Sequence, residues 1–322
     1  MTFTRRALLG AALALGLVAG SPASAADAPK EIRIDWATYN PVSLILKDKK
    51  ILEQEFEKDG IAIRWVQSAG SNKALEFLNA GSLDFGSTAG AAALVARING
   101  NPVKSIGVYS RPEWTALVAK GDSPIKTVAD LKGKAVAVTR GTDPHIFLVR
   151  ALADAGLTEK DVKLVLLQHP DGKTALIRGD VEAWAGLDPL MAQAEVESGA
   201  KLFFRKPEAN TWGILNTRED FAKANPEIVK RVLKVYEQAR VWALANPKEL
   251  TAILVAATKL PEAVVAKQLE RTDHSTSKIG DVQKKTILEA GLALQAAGVL
   301  KPEVDVKATV DALIDASFAP AS

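Results

Sequence analysis

The chain contains no cysteine. That excludes disulfide bridges, a thiol nucleophile and a lipid-carrying N-terminal cysteine, so the fold rests on its core alone. Histidine is almost as scarce. His145, His169 and His274 are the three present, their spacing holds no metal, and neither HExxH nor GxSxG occurs. Acidic residues are plentiful but fall on helix faces as solvated charges, and no pair is marked for acid–base work. An ordinary hydrolase is therefore disfavoured. Charge of one sign is also missing, with a formal net charge of +3, which argues against a nucleic-acid binder that must neutralise phosphates. Beyond residue 25 no apolar run reaches the ~20 residues that cross a bilayer.

What is there begins with an export signal. Arg5 and Arg6 precede an apolar run from Ala7 to Gly20, and Ala23-Ser24-Ala25 supplies the small residues read by a signal peptidase. Residues 1–25 are expected to be a cleavable signal peptide, and the protein periplasmic. Thr4 to Leu9 also resembles a twin-arginine signal, and that route and the general secretory one both stay open. Cleavage leaves 297 residues with a net charge of +1, enough chain for two lobes.

The remaining chain alternates strands and helices. Ile32 to Trp36 and Ile61 to Val66 alternate as strands, with a helix from Leu44 to Lys58 between them. A helix from Ser71 to Ala80, a short strand at Leu83 to Gly86 and a helix from Ala89 to Asn99 follow. A second series runs through a strand at Ala135 to Thr139, a helix from Pro144 to Ala155, a strand at Val162 to Leu167, a short helix from Lys173 to Arg178 and a strand at Val181 to Trp184. Such βα order implies largely parallel sheets with helices on their faces. Gly81-Ser82-Leu83-Asp84-Phe85 is echoed by Gly179-Asp180-Val181-Glu182-Ala183, which suggests two similar lobes. From Pro226 onward the chain reads as mainly helical, with helices opened at Asn225-Pro226, Asn246-Pro247 and Leu260-Pro261. The expected division is lobe I over 26–111 plus 214–322 and lobe II over 112–213. The chain is expected to cross between them at Val108 to Val118 and Asn210 to Leu215.

Three loops leave the C-terminal ends of expected strands, where open α/β sheets bind ligands. They are Gly86 to Gly90, Thr139 to His145, and Trp184 to Pro189. The first two open helices, whose N-termini suit an oxyanion. Ser87, Thr88 and Thr142 would add hydroxyl donors, although the same residues also serve as plain helix caps. Asp143 either caps outward, leaving the amides to an anion, or faces the cleft and holds an amine. Arg140 and Arg111 are candidate counter-charges, and His145 shares the second loop. Gly70, before Ser71, and Trp212 join the candidate ligand contacts. Trp36, Tyr39, Trp114 and Trp184 could line an apolar cleft or pack in the core.

The run Asn79 to Thr88 resembles the NxGSxDxGST core of the aliphatic-sulfonate binding proteins of ABC importers. Ser123 to Gly133, Leu148 to Leu152, Ala155-Gly156-Leu157 and Val181 to Trp184 continue the likeness. It covers nearly the whole chain beyond residue 25. The resemblance implies a two-lobed periplasmic binding protein of type II that closes on its ligand by a hinge and docks on a membrane permease. It implies a monomer without cofactor or metal, binding a small organic anion, an aliphatic sulfonate or a sulfate ester. Taurine, nitrate and thiamine-precursor binders belong to the same superfamily and remain alternatives. An enzyme of that superfamily makes the thiamine pyrimidine, but its cysteine-rich motif has no counterpart here. Carried over residue by residue, Ser87 and Thr88 match the first ligand loop, Gly141-Thr142-Asp143 the second, Asp188 the acid of Trp-Asp-Pro, and Tyr39 and Asn40 the loop lining the cleft. Two departures bear on the ligand: the family's serine-rich second loop is Arg140 to His145 here, and its Trp-Asp-Pro is Leu187-Asp188-Pro189.

Overall fold

A computed structural model describes residues 29–319, so the expected signal peptide lies outside the described residues. Among those residues eleven strands occur in the order β1 (Glu31–Trp36), β2 (Ala62–Gln67), β3 (Phe85–Ala89), β4 (Val103–Pro112), β5 (Leu117–Ala119), β6 (Ala135–Val138), β7 (Lys163–Leu166), β8 (Ala183–Ala185), β9 (Lys201–Phe204), β10 (Gly213–Arg218) and β11 (Thr272–Asp273). They form two sheets, of order β11-β4-β10-β3-β1-β2 and β7-β6-β8-β5-β9. A large core surrounds the first sheet and reaches Ile146, Val149 and Leu187, two smaller ones flank the second sheet, and the molecule has two lobes.

The two sheets share one plan. In the first, β1 pairs in parallel with β2 and β3, and β10 then runs antiparallel to β3. In the second, β6 pairs in parallel with β7 and β8, and β5 runs antiparallel to β8. The sequence echo at Gly81 and Gly179 therefore marks equivalent places, the turns that lead into the central strands β3 and β8. The chain leaves the first sheet after Pro112, enters the second at Leu117, leaves it after Phe204 and returns at Gly213. Each lobe is thus completed by an antiparallel strand that has just crossed over.

Alternation set the face of β1. Ile32 and Ile34 are fully buried while Glu31 is exposed, each isoleucine contributing about 1.5–3 kcal/mol of transfer free energy. β3 is buried along its whole length, because β1 and β10 flank it and helices cover both faces. The structure also redraws several expected elements. The helix expected over Leu44 to Lys58 is two, Pro41–Lys49 and Ile51–Phe56. They part at Lys50, which adopts the left-handed φ of 53°. The short helix expected from Lys173 begins at His169, with Pro170 in its first turn, a position that tolerates proline. The first loop is corrected most. Ser87 and Thr88 sit on β3, paired to Leu215 and Ile214, and the helix starts only at Gly90.

The C-terminal region is helical as expected, with Pro226 and Pro247 opening the helices Pro226–Ala245 and Pro247–Thr258. The helix Asp281–Ala296 packs against both Gly90–Ile98, which follows β3, and Asp143–Asp154, which follows β6. The two-residue strand β11 was not foreseen. It pairs with the end of β4.

Candidate functional site

The floor of the first lobe is a buried polar chain. Asp35 is fully buried at the end of β1, and its Oδ1 accepts the Ser87 N–H and the Ser87 hydroxyl, both at 2.9 Å. Ser87 Oγ in turn accepts Asn40 Nδ2 at 2.7 Å, and the Tyr39 hydroxyl donates to the Ser87 carbonyl at 3.0 Å. The Thr88 hydroxyl donates to the Ala89 carbonyl and accepts Asn216 Nδ2 at 2.7 Å. The expectation that Ser87 and Thr88 offer hydroxyl hydrogens to a ligand is corrected by this geometry, since each hydrogen is already committed within the protein. Burial pushes the Asp35 carboxyl up to about 6, against the pull of its bonds from Ser87.

The N-terminus of the helix Gly90–Ile98 is occupied too. Gly90 N–H donates to the Thr211 carbonyl at 2.9 Å and Ala91 N–H to the Thr211 hydroxyl at 3.0 Å. Thr211, on the returning crossover, acts as the cap.

In the second lobe the helix Asp143–Asp154 follows Gly141, which has a left-handed φ of 77°. The Thr142 hydroxyl donates back to the Thr139 carbonyl at 2.6 Å, so it too is spent. Asp143 takes neither orientation expected of it. Its Oδ2 accepts Trp114 Nε1 at 2.9 Å and Thr211 N–H at 3.1 Å, and its Oδ1 accepts the Thr211 hydroxyl at 2.7 Å. Both crossovers are thereby tied to the start of this helix. Burial raises the Asp143 pKa, and the Thr211 and Trp114 bonds oppose that rise. The backbone N–H groups of Arg140, Gly141 and Thr142, by contrast, have no acceptor among the described residues. The donors this loop offers are main-chain ones.

The lobes meet beside these amides. Asn72 Nδ2 reaches Gln168 Oε1 at 3.4 Å. A side-chain carbon built on Gly70 would lie 2.9 Å from Asn72 Oδ1 and 3.1 Å from His169 Nε2, and one on Gly141 would lie 3.7 Å from Asn72 Cβ. Three helix starts, at Ser71, Asp143 and His169, thus converge across the cleft. His169 is fully buried, and desolvation lowers its pKa to about 3. Sequence reasoning left Asp35, Asn72, Gln168, His169 and Thr211 out of the site. The signal for His169 was legible: Gln168-His169-Pro170 follows a strand and opens a helix, the same pattern used to select the other loops.

The side chains of other expected residues are engaged in contacts of their own. Arg140 is more than half exposed and leans toward Glu159 at 3.8 Å, and His145 Nε2 contacts the same carboxylate at 2.9 Å. Arg111 stacks over Trp212, which holds a left-handed φ of 65° in the returning crossover. Trp184 is fully buried in the second lobe's core against Met191 and Leu176, while Trp114 meets Tyr39 edge-on at 5.9 Å. Asp188 is buried with Arg271, whose Nη2 lies 2.9 Å from its Oδ1 and whose Nη1 lies 2.7 Å from Glu195. Burial pushes Asp188 up to about 7 despite Arg271.

A family model described as NMT1/THI5 like matches residues 56–250. The chain belongs to the NMT1/THI5-like family. A protein of Escherichia coli (strain K12) named as an aliphatic sulfonates-binding protein is 30% identical over 257 residues, covering 79% of this chain and 80% of that one. A Bacillus subtilis (strain 168) protein named in the same way is 28% identical, covering 92% and 91%. In three dimensions this family member is similar to the alkanesulfonate-binding protein from Xanthomonas axonopodis pv. citri bound to MOPS. The TM-score is 0.81 at 26% identity, with 90% of this chain and 100% of that chain covered. The fold is that of a two-lobed periplasmic binding protein.

Proposed function

We propose that the protein is the solute-binding component of an ABC importer, and that it takes a small organic anion, an aliphatic sulfonate, into the cleft between its lobes. The observation that carries this reading is the set of main-chain N–H groups at Arg140, Gly141 and Thr142. They stand at a helix start, where the backbone dipole favours negative charge, and Gly141 lies beside Asn72 of the other lobe. A sulfonate has three acceptor oxygens and no proton to give near neutral pH. Donors without a competing carboxylate suit it, and Asp143 is turned away onto Thr211 and Trp114. The names of the relatives agree with this ligand class.

The same reading assigns lobe I to residues 26–111 and 214–322 and lobe II to residues 112–213, with the two crossovers as the hinge. Binding solute and closing the lobes would present one docked shape to a membrane permease. Export to the periplasm by the N-terminal segment, a monomeric state, and the lack of any enzymatic step belong to the same proposal. Isothermal titration of residues 26–322 with alkanesulfonates tests it, together with Gly141→Val. That replacement forces a β-branched side chain into a left-handed conformation beside the amides and is expected to lower affinity at least tenfold. Unchanged affinity in that variant would place the anion elsewhere.

A further inference from the structure

The hydrogen bonds around His169 fix which of its nitrogens carries a proton. Thr139 has a single hydroxyl hydrogen and gives it to the Leu167 carbonyl at 2.7 Å. The contact between Thr139 Oγ1 and His169 Nδ1 at 3.2 Å must then run the other way, with Nδ1–H donating. The neutral ring therefore presents a lone pair at Nε2. That nitrogen is buried, has no partner among the described residues, and lies against Gly70. Asn72 repeats the pattern from the opposite lobe. Its amide nitrogen is used on Gln168 Oε1, and its Oδ1 is buried against the same glycine without a partner among the described residues.

Two unpaired acceptors, one from each lobe, thus converge on Gly70, and Gly141 with its open main-chain donor lies beside Asn72. An unpaired buried acceptor is costly, because it has given up its bond to water without gaining another. A plain alkyl chain closing over this point would leave both unpaired. Resting on the sulfonate reading above, we propose that His169 Nε2 and Asn72 Oδ1 are specificity-determining acceptors, and that the solute carries an ammonium or hydroxyl donor a short distance from its sulfonate. Asp143 cannot play this part, because both its oxygens are occupied.

Three probes of matched size separate the possibilities: 2-aminoethanesulfonate, 2-hydroxyethanesulfonate and propane-1-sulfonate, each titrated calorimetrically into residues 26–322. A donor-bearing probe is expected to bind at least tenfold tighter than propane-1-sulfonate, because a site built to hydrogen-bond a polar group rejects an analogue lacking it. In His169→Leu that preference should fall below threefold while propane-1-sulfonate binds no more weakly. Wild-type protein with ¹⁵N-labelled histidine gives a second readout that does not depend on a variant folding. The Nε2 resonance of His169 should move upfield with a donor-bearing probe and stay in place with propane-1-sulfonate. Equal affinities, an equal response at Nε2, or a preference that survives His169→Leu overturns the inference while leaving sulfonate binding intact. Tighter binding of longer plain alkanesulfonates than of either donor-bearing probe does the same. Failure of every sulfonate to bind overturns both.

Discussion

Thr211 joins the two lobes through one hydroxyl, which donates to Asp143 Oδ1 at 2.7 Å and accepts the N–H of Ala91 at 3.0 Å. Asp143 begins a helix of the second lobe and Ala91 lies in the first turn of a helix of the first, so a single side chain on the crossover ties both. Removing the carboxylate in Asp143→Ala leaves Trp114 Nε1, Thr211 N–H and the Thr211 hydroxyl without their acceptor. Loss of about 2–4 kcal/mol is expected from the stranded buried donors, read by urea unfolding. A variant within about 0.5 kcal/mol of wild type would show that the crossover is held by other contacts.

Gly70 carries a different kind of prediction. Its φ of 169° is extended backbone that any residue adopts, so Gly70→Ala brings no backbone strain. The added carbon would meet Asn72 Oδ1, the end of a mobile side chain on the same lobe, and would press on His169 only when the lobes approach. Affinity for the solute is expected to fall about tenfold, roughly 1.4 kcal/mol, with the unfolding midpoint of the ligand-free protein nearly unchanged. A drop in the midpoint without a loss of affinity would make Gly70 a packing residue instead.

Arg271 bridges two acids of the second lobe's edge, Asp188 and Glu195, from the C-terminal segment that precedes β11. Breaking a buried pair from one side is costly because it leaves charge uncompensated. Arg271→Met is expected to cost about 3–5 kcal/mol at pH 8, measured by chemical unfolding. The cost should shrink as pH falls from 8 toward about 7 and level off below, since Asp188, pushed up to about 7 with the arginine present, rises further without it and so takes its proton at a higher pH in the variant. A penalty independent of pH would remove Asp188 from the explanation.

The fully buried His169 makes stability depend on pH in the opposite sense. Its folded pKa is depressed to about 3 from an ordinary 6.5, so below pH 6.5 the unfolded chain binds a proton that the folded chain refuses. Its contribution is complete above pH 6.5 and is lost as pH falls toward 3. Asp35, raised to about 6, and Asp188, raised to about 7, act with the reverse sign above pH 3.8, so the wild-type profile blends these groups. The comparison of wild type with His169→Leu isolates the histidine. The stability difference should move in the variant's favour by up to about 1.4 kcal/mol per pH unit between pH 6.5 and 4. A constant difference across that window would mean that His169 is charged in the folded protein.

The repeated βα order, the glycine echo and the proline-opened C-terminal helices were legible because they are local patterns, and each fell where the two lobes and the helical segment were found. The residues at the cleft were harder for a physical reason. Ser87, Thr88, Thr142 and Asp143 have the chemistry of ligand contacts, and nothing local reveals that Asp35, Asn216, Thr139 and Thr211, many of them far along the chain, consume their hydrogens and lone pairs. Gly141 was chosen with its loop for helix-end donors, and those are the donors left open. His169 was dismissed as a metal ligand and was never weighed as a hydrogen-bond acceptor. Its role depends on Thr139, thirty residues away, and on a helix that starts four residues earlier than periodicity suggests.

The central claim, that these lobes close on an organic sulfonate, is tested most directly by thermal unfolding of residues 26–322 against a panel of alkanesulfonates, sulfate esters, nitrate and thiamine precursors. A sulfonate present at about 100 times its dissociation constant should stabilise the folded protein by about 2.7 kcal/mol and raise its midpoint accordingly. A panel in which no sulfonate moves the midpoint while another class does would contradict the account.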